Sequence, residues 1–224
     1  MGQLVDIAAN GRTIKGYLAA PAEQGPGLIV LQEWWGLVDH IKDVCDRFAA
    51  EGFVALAPDL YEGQTTKSPD EAGKLMMALN IARTASHLKG AVDLLVKHEQ
   101  LKGQRVGIVG FCMGGQLALY AASKDERIGA SVDYYGIHPE VKPDYAAIKG
   151  PVMGFFGAED EMVTPDKVRA LEAKLREANV PVAFTSFDKA GHAFFNDTRP
   201  EAYNAQAART AWQRSLTFFR ENLG

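Results

Sequence analysis

A cysteine in a turn bounded by glycines is the residue of this chain with the clearest capacity for chemistry. The segment Gly110-Phe111-Cys112-Met113-Gly114 follows a run of β-branched apolar residues and precedes an apolar-periodic stretch. This order predicts a strand, a sharp turn and a helix. The pattern G-x-C-x-G is that of the nucleophile elbow G-x-S-x-G with cysteine in place of serine. Glycine is expected two residues before and after Cys112, because a β-carbon there would collide with a neighbouring strand or helix.

The predicted turn places the thiol at the start of a helix, where free amides and the helix dipole favour an anion. We therefore expect Cys112 to be exposed and to form a reactive thiolate. The alternative is a buried small hydrophobic side chain, which is the commonest use of free cysteine; the flanking glycines favour the nucleophile. A dinucleotide-binding loop would need G-x-G-x-x-G, and Gly107, Gly110 and Gly114 do not have that spacing.

A histidine and a carboxylate follow two later predicted strands. His192 comes shortly after the last strand, and Asp160 lies in the acidic run after the strand before it. The chain order nucleophile, acid, histidine is that of α/β-hydrolases. We expect Cys112 to attack, His192 to carry the proton and Asp160 to orient the imidazole.

Other residues compete for two of these roles. Glu159 and Glu161 stand in the same acidic run as Asp160, and Asp133 lies one predicted strand earlier, in Ile128–Tyr135. His138 also follows a predicted strand, whereas the remaining histidines fall on predicted helices.

Predicted strands alternate with predicted helices after an antiparallel pair joined at Asn10-Gly11, a hairpin signal. This alternation predicts an α/β fold with a mainly parallel central sheet and helices on both faces. Ligands of such sheets bind beyond the carboxyl ends of the strands. The predicted strands are Leu4–Ala8, Thr13–Ala19, Gly27–Gln32, Phe53–Ala57, Val106–Gly110, Ile128–Tyr135, Val152–Phe156 and Val182–Phe187; helices are predicted at Val38–Ala50, Ser68–His98 with a break near Asn80, after Cys112, from Thr164-Pro165, and at Glu201–Asn222.

Composition limits the class of protein. The chain has 224 residues, of which 47% are hydrophobic and 23% charged, with a net charge of −4. We expect one globular domain over residues 1–224, without the basic surface that nucleic acid or an anionic membrane requires. Cys45 and Cys112 do not make a disulfide framework, which favours a reduced, cytoplasmic protein. No close pair of cysteines or histidines suggests a metal, and no cofactor is expected.

Five segments resemble those of the dienelactone hydrolase (carboxymethylenebutenolidase) family, in order and over nearly the full length. The resemblance implies an α/β-hydrolase core without a large cap, the triad Cys112, His192 and Asp160, and a functional Glu33. In that family the glutamate interacts with the thiol and helps to generate the thiolate when substrate arrives; otherwise Glu33 would be a solvated loop carboxylate. The segments are Gln32-Glu33-Trp34-Trp35-Gly36, Ala57-Pro58-Asp59-Leu60-Tyr61, Gly110-Phe111-Cys112-Met113-Gly114-Gly115, Tyr134-Tyr135-Gly136 and Ala190-Gly191-His192-Ala193-Phe194.

The fold also predicts an oxyanion hole from the backbone amides of Met113 and Trp34. Aromatic residues in loops at strand ends commonly line ligand sites. Four residues are predicted to contact substrate: Trp35, Tyr135, His138 and Phe194.

The sequence departs from the family where substrate would be held. Members bind the substrate carboxylate with two arginines, whose places here are taken by Gly63 and Asn196, and the serine that often follows the histidine is Ala193. Without a bidentate clamp, dienelactone itself is not an expected substrate. Arg83 or Arg199 could still reach the pocket.

The nucleophile itself restricts the substrate. A thiolate leaves a tetrahedral intermediate more readily than an ordinary alkoxide, so we expect lactones and activated enol or aryl esters to react through a thioester, and peptides to be inert. The expected partner is a small-molecule ester or lactone, and the expected assembly a monomer or small homo-oligomer. Two other functions stay open: a thiol redox sensor or non-catalytic binding protein on a hydrolase scaffold, and a metal protein using Cys112, His192 and Asp160 as ligands.

Overall fold

One sheet of eight strands forms the centre of the computed structural model, which describes residues 1–224. The sheet order is β1-β2-β4-β3-β5-β6-β7-β8; β2 is antiparallel to both of its neighbours, and all other neighbouring strands are parallel. The predicted mainly parallel sheet, entered through an antiparallel pair, is therefore confirmed. The strands are β1 (Gln3–Ala9), β2 (Arg12–Ala19), β3 (Gly25–Leu31), β4 (Val54–Pro58), β5 (Leu101–Phe111), β6 (Ile128–Tyr134), β7 (Val152–Gly157) and β8 (Val182–Phe187).

The first hairpin turns at Asn10-Gly11, as predicted. Both residues have positive φ, 48° and 76°, as a two-residue turn of the I′ type requires. Ala9 pairs with Arg12 across the turn.

Six α-helices connect or follow the strands. The break predicted near Asn80 is confirmed, because Asn80 Oδ1 accepts from Arg83 N at 2.9 Å and begins a new helix. The last helix begins at Ala205, so the predicted start at Glu201 is wrong. Asn204 Oδ1 accepts from Ala207 N, which caps the helix there, and Tyr203, just before the cap, is 39% exposed. The helices are α1 (Asp39–Ala50), α2 (Pro69–Met77), α3 (Ile81–Leu95), α4 (Met113–Ala122), α5 (Pro165–Glu177) and α6 (Ala205–Leu223).

Two glycines of β5 show that helices cover both faces of the sheet. A β-carbon on Gly107 would meet Phe219 of α6, whereas one on Gly110 would meet Gly114 of α4. Because positions three residues apart in a strand face opposite sides, α6 and α4 pack on opposite faces. Phe48 of α1 packs against Phe219, which places α1 beside α6. None of the six helices has the length and apolar character needed to cross a bilayer.

Candidate active site

Cys112 lies in a strained turn between β5 and α4. Its φ of 52° and ψ of −120° lie outside the regions that side chains prefer, which costs about 1–3 kcal/mol. A β-carbon on Gly110 would overlap the carbonyl oxygen of Gly114, and one on Gly114 would approach Leu31 O to 2.6 Å. The predicted steric reason for both glycines is therefore confirmed.

The side chain of Cys112 is buried, and the expectation that the turn exposes it is wrong. Only 3% of the residue is exposed. Two tyrosines lie near the sulfur: burial raises the pKa of Tyr61, and the charge of Cys112 raises it further. Burial also raises the pKa of Tyr135, followed by the charges of Glu33 and Cys112. The Tyr61 hydroxyl donates to Met113 Sδ at 3.2 Å, so aromatic side chains from separate loops enclose the turn.

His192 and Asp160 form a hydrogen-bonded pair. Nδ1 of His192 lies 2.8 Å from Asp160 Oδ2. The other oxygen of Asp160 accepts from two backbone amides, Met162 N at 2.7 Å and Val163 N at 2.8 Å. Asp160 is 2% exposed, whereas its sequence neighbours Glu159 and Glu161 are exposed. Of the carboxylates in the acidic run, Asp160 is thus the one that meets the imidazole.

The pair is electrostatically coupled to the cysteine. Burial acts to lower the pKa of His192, but the hydrogen bond to Asp160 and the thiol of Cys112 outweigh it and raise the pKa to about 10. Burial acts to raise the pKa of Asp160, yet the hydrogen bond to His192 holds it below its usual value. Nε2 of His192 is buried and has no hydrogen-bond partner in the protein. The arrangement favours a protonated imidazole between a carboxylate and a thiol.

Asp133, the competitor from the preceding strand, is a second buried acid near this pair. It is 0% exposed, and neither carboxylate oxygen has a hydrogen bond of good geometry. Burial raises its pKa to about 7, while the amide of Gly136 and the charge of His192 act in the opposite direction. A β-carbon on Gly115 or Gly136 would overlap its carboxylate. Asp133 therefore packs among glycines without bonding to the imidazole.

Glu33 is buried and held by two neutral donors. It is 2% exposed; Tyr135 Oη donates to Oε1 at 3.3 Å, and Asn196 Nδ2 donates to Oε2 at 2.8 Å. Asn196 Oδ1 accepts from the amide and the hydroxyl of Thr198 at 3.1 and 2.7 Å, which fixes the orientation of its amide. The Tyr135 ring packs edge-on against His192 with centroids 5.1 Å apart. Tyr135 thus connects Glu33 to the imidazole.

Two functional candidates were not identified from the sequence. The sequence identifies Asn196 only as the replacement of a family arginine. Its position four residues after His192 is the one signal that it lies near the site and could contact Glu33. Tyr61 is the last residue of the segment Ala57-Pro58-Asp59-Leu60-Tyr61, and no sequence signal places it beside Cys112.

The backbone amides of Met113 and Trp34, predicted as oxyanion donors, lie at the start of α4 and in the loop after β3. Met113 is the first residue of α4, so its N–H has no acceptor within the helix. Trp34 follows β3, and its N–H makes no hydrogen bond within the protein.

A polar cavity of about 620 Å³ lies beside Glu33. It is lined by Trp35, Asn196 and Arg199, among others. Arg83 is not among the lining residues and lies 3.4 Å from Glu62 Oε1. Of the two arginines considered from the sequence, Arg199 therefore lines this cavity.

His138 and Phe194, two other residues predicted to contact substrate, do not line this cavity. His138 is 5% exposed; its Nε2 lies 3.2 Å from Met76 O, and its Nδ1 accepts from Glu140 N. It lines a separate cavity of about 240 Å³ beside α5. Phe194 is fully buried and packs against Tyr135 and Phe187. No group of three or more His, Cys, Asp or Glu side chains is arranged to hold a metal ion.

Comparison with known proteins identifies the family. The model of the "Dienelactone hydrolase family" matches residues 14–223. "Protein usf" of Aquifex pyrophilus is 40% identical, and "Putative carboxymethylenebutenolidase" of Aquifex aeolicus (strain VF5) is 36% identical; each alignment covers 100% of both chains. The crystal structure of "Putative Dienelactone Hydrolase from Klebsiella pneumoniae subsp. pneumoniae MGH 78578" is 28% identical, with a TM-score of 0.89 over 99% of this chain and 98% of that chain. The chain, with its α/β-hydrolase fold and no separate cap domain, belongs to the dienelactone hydrolase family and is a hydrolase of ester bonds.

Proposed function

We propose that the protein hydrolyses lactones and activated carboxylic esters through a thioester at Cys112. One observation carries the proposal: the His192–Asp160 hydrogen bond of 2.8 Å lies beside a cysteine held in a strained turn at the start of α4. In this proposal His192 transfers protons, and Asp160 fixes the ring and its tautomer.

The reaction would proceed in two steps. Cys112 gives its thiol proton to Glu33, its sulfur attacks the carbonyl carbon, an S–C bond forms, and the carbonyl oxygen becomes an oxyanion. The intermediate then expels the leaving oxygen, which takes a proton from His192, and a thioester remains. Water loses a proton to His192 and attacks the thioester. The carboxylic acid is released, and the thiolate of Cys112 recovers its proton from Glu33.

The amides of Met113 and Trp34 would stabilise the oxyanion. Both lie on the edge of the sheet that carries Cys112, and neither N–H is used in a helix or by a loop partner. Donors fixed in place before charge develops stabilise the transition state without reorganisation.

Glu33 would assist in generating the thiolate. Its carboxylate is occupied by Tyr135 and Asn196 rather than by the thiol, so it would have to exchange one of these donors for the thiol proton. Both donors are neutral, and Glu33 has no ion-pair partner that would hold it in place.

The chemistry of sulfur defines the substrate class. Because a thiolate is a better leaving group than an alkoxide, attack on a simple alkyl ester mostly reverts. An enol lactone or an aryl ester releases a stabilised anion and can proceed to the thioester. We therefore expect aryl acetates to be hydrolysed much faster than ethyl acetate.

The test is turnover of p-nitrophenyl acetate before and after iodoacetamide, and again with a chelator. We expect turnover to be lost on alkylation and to be unaffected by the chelator. The turnover of p-nitrophenyl acetate should fall sharply in Cys112→Ser, because a hydroxyl needs a stronger base than a thiol does. Cys45→Ala is the matched control, since Cys45 is the other buried cysteine. Full activity in Cys112→Ser, or alkylation of Cys112 without loss of turnover, would overturn the proposal.

A further inference from the structure

The 620 Å³ cavity is built by three loops on the catalytic edge of the sheet and by the first turn of α1. Residues 35–42 follow β3, residues 65–67 follow β4, and residues 196–199 follow His192. The first two loops are joined where Thr66 N donates to Trp35 O at 3.1 Å. Asn196 lines the cavity and donates to Glu33, so the cavity begins one hydrogen bond from the proposed catalytic groups.

A buried imidazole lines this cavity without a hydrogen-bond partner. His40 is 3% exposed, and neither ring nitrogen makes a hydrogen bond within the protein. Nδ1 lies 3.3 Å from Asp197 Oδ1, but not in hydrogen-bond geometry. Buried polar groups are normally paired, but both nitrogens of this ring are covered by the protein, and the ring packs against Phe111 and Phe195. A ligand in the cavity therefore meets the exposed groups beside His40 and not its ring nitrogens.

Of the three threonine hydroxyl groups that line the cavity, two form hydrogen bonds within the protein and one does not. Thr66 Oγ1 donates to Glu71 at 2.6 Å, and Thr198 Oγ1 donates to Asn196 at 2.7 Å. The Thr65 hydroxyl makes no hydrogen bond within the protein, and Thr65 is exposed. It is therefore free to bind a ligand.

The charges that line the cavity are mostly paired. Lys42 lies 3.0 Å from Asp39, and Arg199 lies 2.9 Å from Glu201 and over the Trp35 ring. Lys67 alone among the lining charged groups has no ion pair. An anion would find little unpaired positive charge here.

An apolar occupant is also poorly matched. Only Trp35, Leu37 and Val38 among the lining residues are hydrophobic. The exposed groups left free by the protein are hydrogen-bonding ones: the Thr65 hydroxyl and the Lys67 ammonium. Such a set suits a ligand with several hydroxyl groups.

We propose that this cavity binds a neutral, hydroxyl-rich part of the ester substrate, such as a sugar. The inference rests on the proposed function, because it assigns a substrate class to the same catalytic centre. The hydroxyl-rich group could belong to the acyl part or to the leaving group of the ester. The experiment distinguishes the two, because one series of esters carries the group on each side.

Two matched series of esters test the proposal. One series is 4-alkoxyphenyl acetates, and the other is p-nitrophenyl esters of 3-alkoxypropanoic acid. In each, the alkoxy substituent is methyl, β-glucosyl, carboxymethyl or hexyl, which changes the occupant of the cavity while the reacting ester stays nearly the same. The readout is kcat/KM for each ester.

We expect the glucosyl ester of at least one series to exceed its methyl counterpart by about tenfold, as one or two net hydrogen bonds provide. Thr65→Val and Lys67→Met should each reduce this preference about threefold or more and leave the methyl esters unchanged. Lys97→Met is the control, because Lys97 is an exposed lysine beyond the end of α3. Equal rates for glucosyl and methyl esters in both series would overturn the proposal, as would a gain for the carboxymethyl or hexyl esters alone.

Failure of the proposed function would be recognised separately. If no ester is turned over, calorimetric titration of Cys112→Ala with the glucosyl and methyl esters still reports on the cavity. Tighter binding of the glucosyl ester, lost in Thr65→Val, would support the cavity assignment alone. Equal or absent binding would overturn it together with the function.

Discussion

Asp133 makes the stability of the fold depend on pH in an unusual direction. Its carboxyl group is fully buried on β6, and burial raises its pKa from the ordinary 3.8 to about 7, while the Gly136 amide and the charge of His192 partly oppose the rise. Two nearby titratable groups interact with Asp133. The charge of His192 acts to lower the pKa of Asp133. The pKa of Tyr145 is raised by burial, and the charge of Asp133 acts in the same direction. We predict that Asp133→Asn stabilises the protein above neutral pH.

The sign follows from proton binding. Between pH 3.8 and about 7 the folded protein holds a proton that the unfolded chain has lost, so the free energy of unfolding decreases as the pH rises. At about 1.36 kcal/mol per pKa unit, ionising Asp133 inside the fold costs at most about 4 kcal/mol. About 2.5 kcal/mol of this is expected between pH 5 and pH 8.

The assay is urea unfolding of wild type and Asp133→Asn at pH 5 and pH 8. The other titrating groups are common to both proteins, so the difference in the free energy of unfolding isolates Asp133. The free energy of unfolding of the variant, minus that of wild type, should increase by about 2.5 kcal/mol from pH 5 to pH 8. Asp188→Asn, at an exposed position, should show no such change. A difference that is constant with pH, as in this control, would refute the reasoning.

Three further predictions concern Asp160, the hydrogen bonds of Glu33, and the glycines of the turn around Cys112. Asp160→Asn should lower kcat/KM for p-nitrophenyl acetate about 100-fold or more, because the imidazole loses its orienting partner; an unchanged rate would exclude that role. Asn196→Leu should lower the free energy of unfolding by about 1–3 kcal/mol in urea at pH 7, because Glu33 loses its shorter hydrogen bond, and an unchanged midpoint would contradict this. Gly114→Ala should destabilise the protein by about 1–3 kcal/mol or more, since its β-carbon would press on the backbone of β3. Gly73→Ala should stabilise by about 0.5–1 kcal/mol in thermal unfolding, because the space around it in α2 is open; shifts of the same sign for both glycines would count against the steric account.

Features set by local sterics and periodicity could be predicted from the sequence. The Asn10-Gly11 hairpin, the break at Asn80 and the glycines around Cys112 each depend on residues a few positions apart. The alternation of strands and helices also placed Asp160 and His192 at the same edge of the sheet.

Features that depend on distant loops could not be predicted. Cys112 is buried, and its charge affects the pKa values of Tyr61 and Tyr135, which come from separate parts of the chain. Asn196 meets Glu33 across 163 positions of the chain. No periodicity in the sequence encodes either approach, because each results from the packing of the loops on the finished sheet.

The most direct test of the account is to identify the residue that becomes acylated. Wild-type protein is mixed with p-nitrophenyl acetate, quenched with acid before steady state, digested and examined by mass spectrometry, while the release of p-nitrophenol is followed in parallel. The account predicts a burst of p-nitrophenol and one acetyl group on the peptide that contains Cys112. An acetyl group on another residue, or catalytic turnover that persists in Cys112→Ala, would contradict it.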